Sequence, residues 1–256
     1  MTRIWLIGGT QESAQLVRMM AGHHIAVVVS VTTDSARSLY PELPSVKVRV
    51  GALDEAQISQ FIHQQGVTAI LDASHPYAAN ISTLAIAAAQ AHGLPYLRYE
   101  RPPAKAASTV EVDNIEAILS DDYLKGQRAL LTVGYRFLPL FRPWQEQATL
   151  FTRILPSQVA LETALEAGFT PDRIIALRPP LSASLEKALW QQWQISLVVT
   201  KASGVAGGEL VKQQVAQSLD VTLVTVRRPS IAYPQQTSRL DEAIAFCDRH
   251  CALVPS

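Results

Sequence analysis

Strand-like and helix-like segments alternate along almost the whole chain, and no other feature limits its possible folds so strongly. Apolar runs rich in β-branched residues, such as residues 25–31, suit strands that are buried on both faces. Stretches with a helical spacing of apolar residues follow most of these runs, and Gly66 and Gly93 are placed to end two of the helices. Repeated β–α units predict parallel sheets with helices on both faces.

The chain is predicted to form two Rossmann-like α/β halves with a cleft between them. Pro102-Pro103 and the small, polar residues up to Thr109 interrupt the alternation and indicate a linker. We therefore predict an N-terminal cofactor-binding domain at residues 1–102 and a C-terminal substrate domain at residues 103–256. The predicted strands lie at residues 4–7, 25–31, 46–50, 69–71 and 94–98 in the first half, and at 129–133, 149–154, 174–177, 197–200 and 221–226 in the second.

The charge balance narrows the classes of partner. The 256 residues include 22 basic and 22 acidic side chains, so no long-range field favours a nucleic acid or an anionic membrane. No apolar run reaches the roughly 18–20 residues that span a bilayer, and the N-terminus enters a strand-like stretch without a signal-peptide core. We expect a cytoplasmic monomer or homodimer that binds a small molecule, and neither a nucleic acid nor a membrane.

The two cysteines, Cys247 and Cys251, lie four residues apart near the C-terminus, with His250 between them. This spacing places both thiols on one face of a helix, but a structural zinc site usually takes four ligands from two separate clusters. We interpret them as ordinary thiols and predict no metal site.

Two glycines directly follow the first predicted strand, in the sequence Gly8-Gly9-Thr10-Gln11-Glu12-Ser13. Such a turn brings backbone close to a ligand, and the first N–H groups of the helix that follows favour a phosphate. Thr10 would add a hydroxyl donor. Ser13 stands where the dinucleotide-binding pattern has its third glycine or alanine, so a turn without a ligand remains the alternative. Because these residues open an α/β chain, we predict that all six contact a nucleotide.

The end of the second strand usually determines which ribose is bound. Here Ser30, Thr32 and Thr33 offer hydroxyl groups that suit a 2′-phosphate, while Asp34 could instead accept a hydrogen bond from the 2′-hydroxyl of NADH. The balance favours NADPH, with NADH left open.

A histidine–proline turn follows the buried strand at residues 69–71, in the sequence Asp72-Ala73-Ser74-His75-Pro76. Proline suits the first position of a helix, which would leave His75 near the N-cap at the mouth of the sheet. Ser74 and His75 are therefore candidate cofactor contacts, and His75 could also donate a proton. A histidine that only caps the turn is the alternative.

Cations also cluster at predicted strand ends. Arg98 and Arg101 close the fifth strand, and a guanidinium group binds a carboxylate through two hydrogen bonds; surface charge in water is the alternative. Two turns of the second half each combine a hydroxyl, a glycine and a cation, which suits an anionic substrate. The candidate residues of these two turns are Gly134, Arg136, Lys201, Ser203 and Gly204.

Five segments together make the chain similar to the precorrin-6A and cobalt-precorrin-6A reductases of corrin biosynthesis. They are Ile7-Gly8-Gly9-Thr10-x-Glu12, residues 72–78, residues 95–102, Thr200-Lys201-x-Ser203-Gly204 and Arg228-Pro229. The resemblance covers nearly the whole chain, and it implies two Rossmann-like domains that use a nicotinamide cofactor, NADPH or NADH, to reduce one double bond of a tetrapyrrole macrocycle. The many carboxylates of that substrate match the basic turns. Lys201 or His75 would then act at the reacting centre.

Two departures from the family pattern concern the substrate side. Ala202 stands where an aspartate is expected after Thr-Lys, and Pro179-Pro180-Leu181-Ser182 replaces Gly-Pro-Phe-Ser.

Two rival functions also stay open: another NAD(P)-dependent oxidoreductase, or a nucleotide-binding sensor without catalysis. No tyrosine is followed four residues later by lysine, which removes the catalytic pair of short-chain dehydrogenases.

Overall fold

The computed structural model describes residues 3–101, 110–204 and 207–251, and the chain divides into two compact units. Unit 1 consists of Met1–Pro102 and Pro229–Ser256, and unit 2 consists of Pro103–Arg228. Each unit contains one parallel six-stranded sheet with helices, so the predicted α/β fold class is confirmed. The proposed linker at residues 102–109 lies outside the described residues.

The sheet of unit 1 has the strand order β12-β5-β4-β1-β2-β3, and all of its pairings are parallel. Its strands are β1 (Arg3–Ile7), β2 (Val27–Val31), β3 (Val46–Val50), β4 (Val67–Asp72), β5 (Tyr96–Tyr99) and β12 (Gln236–Thr237). Its helices are α1 (Gln11–Gly22), α2 (Asp34–Arg37), α3 (Glu55–Gln65), α4 (Ala79–His92) and α9 (Leu240–His250). Strands β2 and β3 lie on one side of β1, and β4 and β5 lie on the other, so the strand order reverses between β1 and β4.

The sheet of unit 2 has the order β6-β11-β10-β7-β8-β9, again with parallel pairings. Its strands are β6 (Val110–Val112), β7 (Arg128–Thr132), β8 (Thr149–Ile154), β9 (Ile174–Ala176), β10 (Leu197–Lys201) and β11 (Thr222–Val226). Its α-helices are α5 (Asp121–Leu124), α6 (Gln158–Glu166), α7 (Ala183–Gln192) and α8 (Glu209–Leu219). Segments of 3₁₀ helix lie at Glu116–Ile118, Tyr135–Trp144 and Pro171–Arg173, and the second of them has ten residues.

Local sequence explains where the helices of unit 1 begin and end. Asp54 caps α3 by accepting the Gln57 N–H, and the Gln57 side chain completes a capping box. Gly66 and Gly93 end α3 and α4 in the left-handed conformation, each with φ of 62°, where glycine carries no steric penalty. The two helix ends that the sequence predicts, at Gly66 and Gly93, are confirmed.

The last residues of the chain belong to unit 1, so the predicted single domain at residues 103–256 is wrong at its C-terminal end. Helix α9 buries Ala243, Ile244, Phe246 and Cys247 in the same apolar cluster as Ile4 and Leu6 of the central strand. Strand β12 pairs with β5 at the edge of this sheet. The apolar face of α9 therefore completes the core of unit 1.

Two strands were not anticipated, because β6 has three residues and β12 has two. Such short strands at sheet edges are too brief to show a hydrophobic period. In the ranges that the structure covers, no helix combines the length and the apolar character that a bilayer crossing needs.

Candidate active site

The carboxyl ends of β1 and β4 lie side by side at the point where the strand order of unit 1 reverses, the usual ligand site of an open parallel sheet. The turn after β1 contains Gly8-Gly9-Thr10, and the turn after β4 contains Ala73-Ser74-His75. The Thr10 hydroxyl donates to the Ala73 carbonyl at 3.0 Å and ties the two turns together. The predicted cofactor residues therefore meet at one sheet edge.

The glycine turn has the backbone that a close ligand approach needs. Gly9 has φ of +103°, which strongly favours glycine, and it is exposed. Thr10 then caps α1 in a capping box with Ser13. The first intrahelical bond runs from the Ala14 N–H to the Thr10 carbonyl, so the N–H groups of Gln11 and Glu12 stand ahead of the helical ladder at its positive end.

Two side chains predicted to contact the nucleotide point elsewhere. The Thr10 hydroxyl donates to Ala73 and accepts the Ser13 N–H, while the buried Ser13 hydroxyl donates to the Thr10 carbonyl at 2.6 Å. Each hydroxyl carries one proton, so neither has a donor left for a phosphate. Their role is to shape the turn.

The predicted ribose contacts at the end of β2 differ in their exposure to solvent. Thr32 and Thr33 are exposed after the strand, beside Asp34. Ser30 lies inside the strand, is buried, and accepts a 2.9 Å hydrogen bond from the Trp5 indole. Side chains alternate between the two faces of a sheet, so Ser30 faces the core with Trp5, and this position does not support the predicted contact with a 2′-phosphate.

His75 lies in a turn that precedes α4 by three residues. The Ala78 N–H donates to the His75 carbonyl at 2.8 Å, and Pro76 occupies the second position of this β-turn. The Tyr77 N–H donates to His75 Nδ1 at 3.3 Å. The helix begins only at Ala79, so the predicted placement of Pro76 at its first position is wrong. His75 remains half-buried at the sheet edge.

Asp72 is the centre of a buried polar cluster that the sequence did not single out. One carboxylate oxygen accepts the Ser74 N–H at 3.0 Å and Arg98 Nη1 at 2.8 Å. The other accepts the hydroxyls of Ser82 at 2.6 Å and Tyr96 at 2.7 Å. Burial, reinforced by the Asp72 charge, raises the pKa of Tyr96, which keeps that hydroxyl protonated as a donor. Four donors to one carboxylate hold the turn after β4 in place.

The two predicted arginines, Arg98 within β5 and Arg101 just after it, differ in what they can bind. The Arg98 side chain is 1% exposed and binds Asp72, Ser74 and Glu100, with 2.5 Å between Nη2 and a Glu100 oxygen. Its role as a clamp for substrate carboxylates is not supported, because its guanidinium is committed to carboxylates of the chain itself. Arg101 contacts Glu12 at 2.6 Å at the rim of the site.

A small hollow opens at this edge, between the glycine turn and the end of β5. Its walls combine both charge signs with backbone of the two central turns. The lining residues are Thr10, Glu12, Ala73, Ser74, Pro76, Arg98, Tyr99, Glu100 and Arg101. One oxygen of Glu12 within it is buried and has no hydrogen-bond partner among the residues that the structure describes.

Unit 2 has its own reversal of strand order, between β7 and β10, and the two predicted anion-binding turns lie there. Lys201 ends β10 and extends to the turn after β7, where its Nζ is 3.6 Å from the position that a Cβ at Gly134 would take. The ammonium also lies 5.4 Å from the centre of the Phe137 ring. The structure therefore brings Lys201 and Gly134 together, with the exposed Arg136 beside them.

The surroundings of Lys201 change its proton affinity. Burial, with a further contribution from the Arg136 charge, lowers the pKa of Lys201 to about 8. An amine with this pKa is mostly protonated at pH 7 yet can release its proton near neutrality. Such a group can both bind an anion and take part in proton transfer.

The backbone of the turn after β10 is used internally. The Gly204 N–H donates to the buried Glu209 carboxylate at 2.7 Å, so the expected contact of this group with the substrate is not supported. Lys212 Nζ donates to the Gly207 carbonyl at 2.8 Å from the same helix, α8. Ser203 is buried, and its Oγ lies 1.7 Å from where a Cβ at Gly207 would stand, so this packing requires glycine.

The cysteines lie away from these turns. Burial raises the pKa of the Cys247 thiol to about 12, which makes it unreactive at neutral pH. Within residues 3–101, 110–204 and 207–251, no group of three or more His, Cys, Asp or Glu side chains has a metal-binding arrangement.

Comparison with known proteins gives one consistent result. The family model described as precorrin-6x reductase CbiJ/CobK matches residues 3–248. The cobalt-precorrin-6A reductase of Synechocystis sp. is 49% identical over 251 residues, which are 96% of each chain. That of Priestia megaterium is 30% identical over 94% of this chain and 96% of its own. The structure of CobK precorrin-6A reductase matches with a TM-score of 0.78 and 25% identity over 98% of both chains.

Proposed function

Because the chain belongs to the precorrin-6x reductase family and is thus an oxidoreductase acting on a carbon–carbon double bond, we propose that it reduces cobalt-precorrin-6A with NADPH in cobalamin biosynthesis. The observation that carries this proposal is the match over nearly the full length of both units. The cobalt form is preferred over the metal-free one because relatives at 49% and 30% identity bear that name.

The edge of unit 1 fits a dinucleotide. The positive φ of Gly9 and the leading N–H groups of Gln11 and Glu12 suit a phosphate at the reversal of strand order. The exposed hydroxyls of Thr32 and Thr33 suit a 2′-phosphate. When bound, a nicotinamide cofactor supplies the hydride, and the protein supplies binding, orientation and electrostatics.

The edge of unit 2 fits an anionic substrate. Arg136 and Lys201 place two positive charges at one turn, and a precorrin macrocycle carries carboxylates that they can bind. Reduction of a double bond also needs a proton. We assign its delivery to Lys201 Nζ, whose lowered pKa lets it bind the proton at pH 7 and release it during the reaction. His75 is the alternative donor.

Turnover tests this function directly. Purified protein, incubated without oxygen with NADPH and either cobalt-precorrin-6A or precorrin-6A, is expected to oxidise one cofactor per macrocycle and to add two hydrogen atoms to the product, as seen by mass spectrometry. We expect the higher kcat/KM with the cobalt form. Tight NADPH binding with no oxidation on either macrocycle would favour the rival function of a non-catalytic sensor.

The choice between the two nicotinamide cofactors is tested at the end of β2. Replacing Thr32 and Thr33 together by alanine should weaken NADPH binding about tenfold, the scale of hydrogen bonds to a charged group. NADH affinity should stay unchanged, because NADH lacks the 2′-phosphate. Fluorescence titration with both cofactors gives the ratio.

Ser30→Ala is the matched control for this pair of substitutions. Its hydroxyl is bonded to the Trp5 indole inside the sheet, so the change should affect stability and leave the NADPH-to-NADH affinity ratio unaltered. If the variant with both threonines replaced keeps the NADPH-to-NADH affinity ratio of the wild type, Thr32 and Thr33 do not contact the 2′-phosphate.

A further inference from the structure

The Gly9 N–H, which would face a phosphate in the predicted turn, is already bound by the chain itself. It donates to the Tyr40 hydroxyl at 2.7 Å, and that hydroxyl lies 2.7 Å from Ser13 Oγ. Tyr40 is 31 residues from Gly9 in sequence and reaches the turn from the connection between α2 and β3. No pattern in the sequence predicts this contact.

Proton counting fixes the direction of each bond. The Ser13 proton is used at the Thr10 carbonyl, and Ser13 Oγ already accepts the Thr10 N–H at 3.0 Å. The bond between Ser13 and Tyr40 must therefore use the tyrosine proton. The resulting chain runs from the Gly9 N–H to Tyr40, from Tyr40 to Ser13 and from Ser13 to the Thr10 carbonyl, with every hydroxyl proton used.

Packing holds Tyr40 in this position. The residue is 7% exposed and belongs to the apolar cluster that contains Ala14 and Val29. A Cβ at Gly8 would lie 2.2 Å from Tyr40 Oη, so the absence of a side chain at Gly8 makes room for the tyrosine. Gly8 thus serves a contact within the protein, although its place in the turn suggested a contact with the ligand.

We propose that Tyr40 is a positioning residue for the dinucleotide: it replaces the ligand as partner of the Gly9 N–H and leaves the N–H groups of Gln11 and Glu12 as the backbone donors to phosphate. This inference rests on the proposed function. The Ser13–Tyr40 bond also accounts for the serine at the position of the third glycine, because the hydroxyl pair fixes α1 against the turn. The pyrophosphate is common to both cofactors, so Tyr40 acts on their binding equally.

Tyr40→Phe keeps the ring and removes the hydroxyl, and its first test needs no cofactor. Gly9 and Gly208 are the glycines of the chain that follow another glycine. Protein labelled with glycine carrying ¹³C at the carbonyl and ¹⁵N at the amide therefore gives an HNCO spectrum with these two signals. We expect the Gly9 signal to shift and its amide to exchange faster with solvent, while the Gly208 signal stays unchanged. Tyr123→Phe, in α5, should move neither signal.

The second test is cofactor binding by the same variant. The dissociation constants for NADPH and NADH should both rise about tenfold, the scale of one hydrogen bond, with kcat at saturating cofactor nearly unchanged. Ser13→Ala should weaken binding too, and the double variant should lose little more than the worse single one, since both changes break one chain.

Several results would overturn the proposal. An unmoved Gly9 signal would show that the Gly9 N–H does not donate to Tyr40, and additive effects of the two substitutions would show that Tyr40 and Ser13 act independently. Unchanged affinity of Tyr40→Phe for both cofactors would show that Tyr40 has no positioning role. Tighter binding by Tyr40→Phe would mean that the hydroxyl competes with phosphate for Gly9. A wild-type protein that binds neither cofactor would overturn the proposed function and this role with it, before any variant is compared.

Discussion

Lys201→Ala is expected to lower kcat/KM for the macrocycle at least about 100-fold, on the scale of losing one charged group that acts in the transition state. The ammonium lies against the turn at Gly134 beside Arg136, and its removal takes away both an anion contact and the proposed proton. Steady-state kinetics with purified macrocycle measures the loss. Lys125→Ala, which breaks only an exposed ion pair with Asp121, should keep wild-type rates.

The pH profile separates the two roles of Lys201. If its ammonium delivers the proton, kcat/KM of the wild type falls as pH rises through about 8, the pKa of the buried amine in the protein without substrate, when no other group imposes an earlier fall. Lys201→Arg keeps the charge but cannot release a proton at this pH. We expect that variant to retain much of its affinity for the macrocycle with a much lower kcat. Wild-type kcat in Lys201→Arg would assign the proton to another group.

A folding control accompanies these kinetics. The pKa of Lys201 is lower in the folded protein than in the unfolded chain, so the folded state binds fewer protons between about pH 8 and 10.5 and stability rises across that window. Below pH 8 the buried charge is a cost. Lys201→Ala should therefore keep or slightly raise the melting temperature at pH 7, and a large drop would show that the lost activity reflects unfolding.

Among the substitutions proposed for this protein, Asp72→Asn should lower the free energy of unfolding the most. The change replaces one acceptor oxygen by an NH₂ group among four donors and leaves the Arg98 guanidinium buried with a weakened set of partners. Breaking a buried pair in this way costs about 3–5 kcal/mol. For a protein of this size we expect a fall in melting temperature of roughly 6–20 °C, measured by circular dichroism.

Two further variants make the Asp72 result specific. Asp122→Asn, at an exposed position in α5, should change stability by less than about 0.5 kcal/mol. Adding Arg98→Met to Asp72→Asn removes the stranded charge, so the pair should cost less than the sum of the two single losses. Additive losses would contradict the idea that the two side chains form one cluster.

The sequence predicted where the sites lie better than what each side chain does there. Parallel strands place all their carboxyl ends at one edge, so the turns at Gly9 and His75 in unit 1, and at Gly134 and Lys201 in unit 2, followed from the strand pattern alone. Helix ends such as Gly66 followed from local backbone chemistry. These features depend on residues close together in the chain.

The predictions that the structure does not support share a different cause. Polar groups at strand ends often contact ligands, and on this ground the sequence predicts Ser30 and Arg98 as ligand contacts. Their partners are Trp5 and Asp72, which are 25 and 26 residues away, and the partner of Gly9 is Tyr40. A single sequence without its fold cannot show which distant donor meets which acceptor. The misplaced C-terminal boundary arose in the same way, from a two-residue strand at a sheet edge.

The course of the chain has a consequence for synthesis on the ribosome. Unit 2 is one continuous stretch, Pro103–Arg228, inserted between β5 and β12 of unit 1. All strands of its sheet are therefore synthesised before Pro229–Ser256, the segment that completes unit 1. Unit 1 is translated first but finishes last, since the apolar face that α9 covers stays open until then. Nascent unit 1 thus exposes its incomplete core for the longer time, and such exposed apolar surface is prone to aggregate.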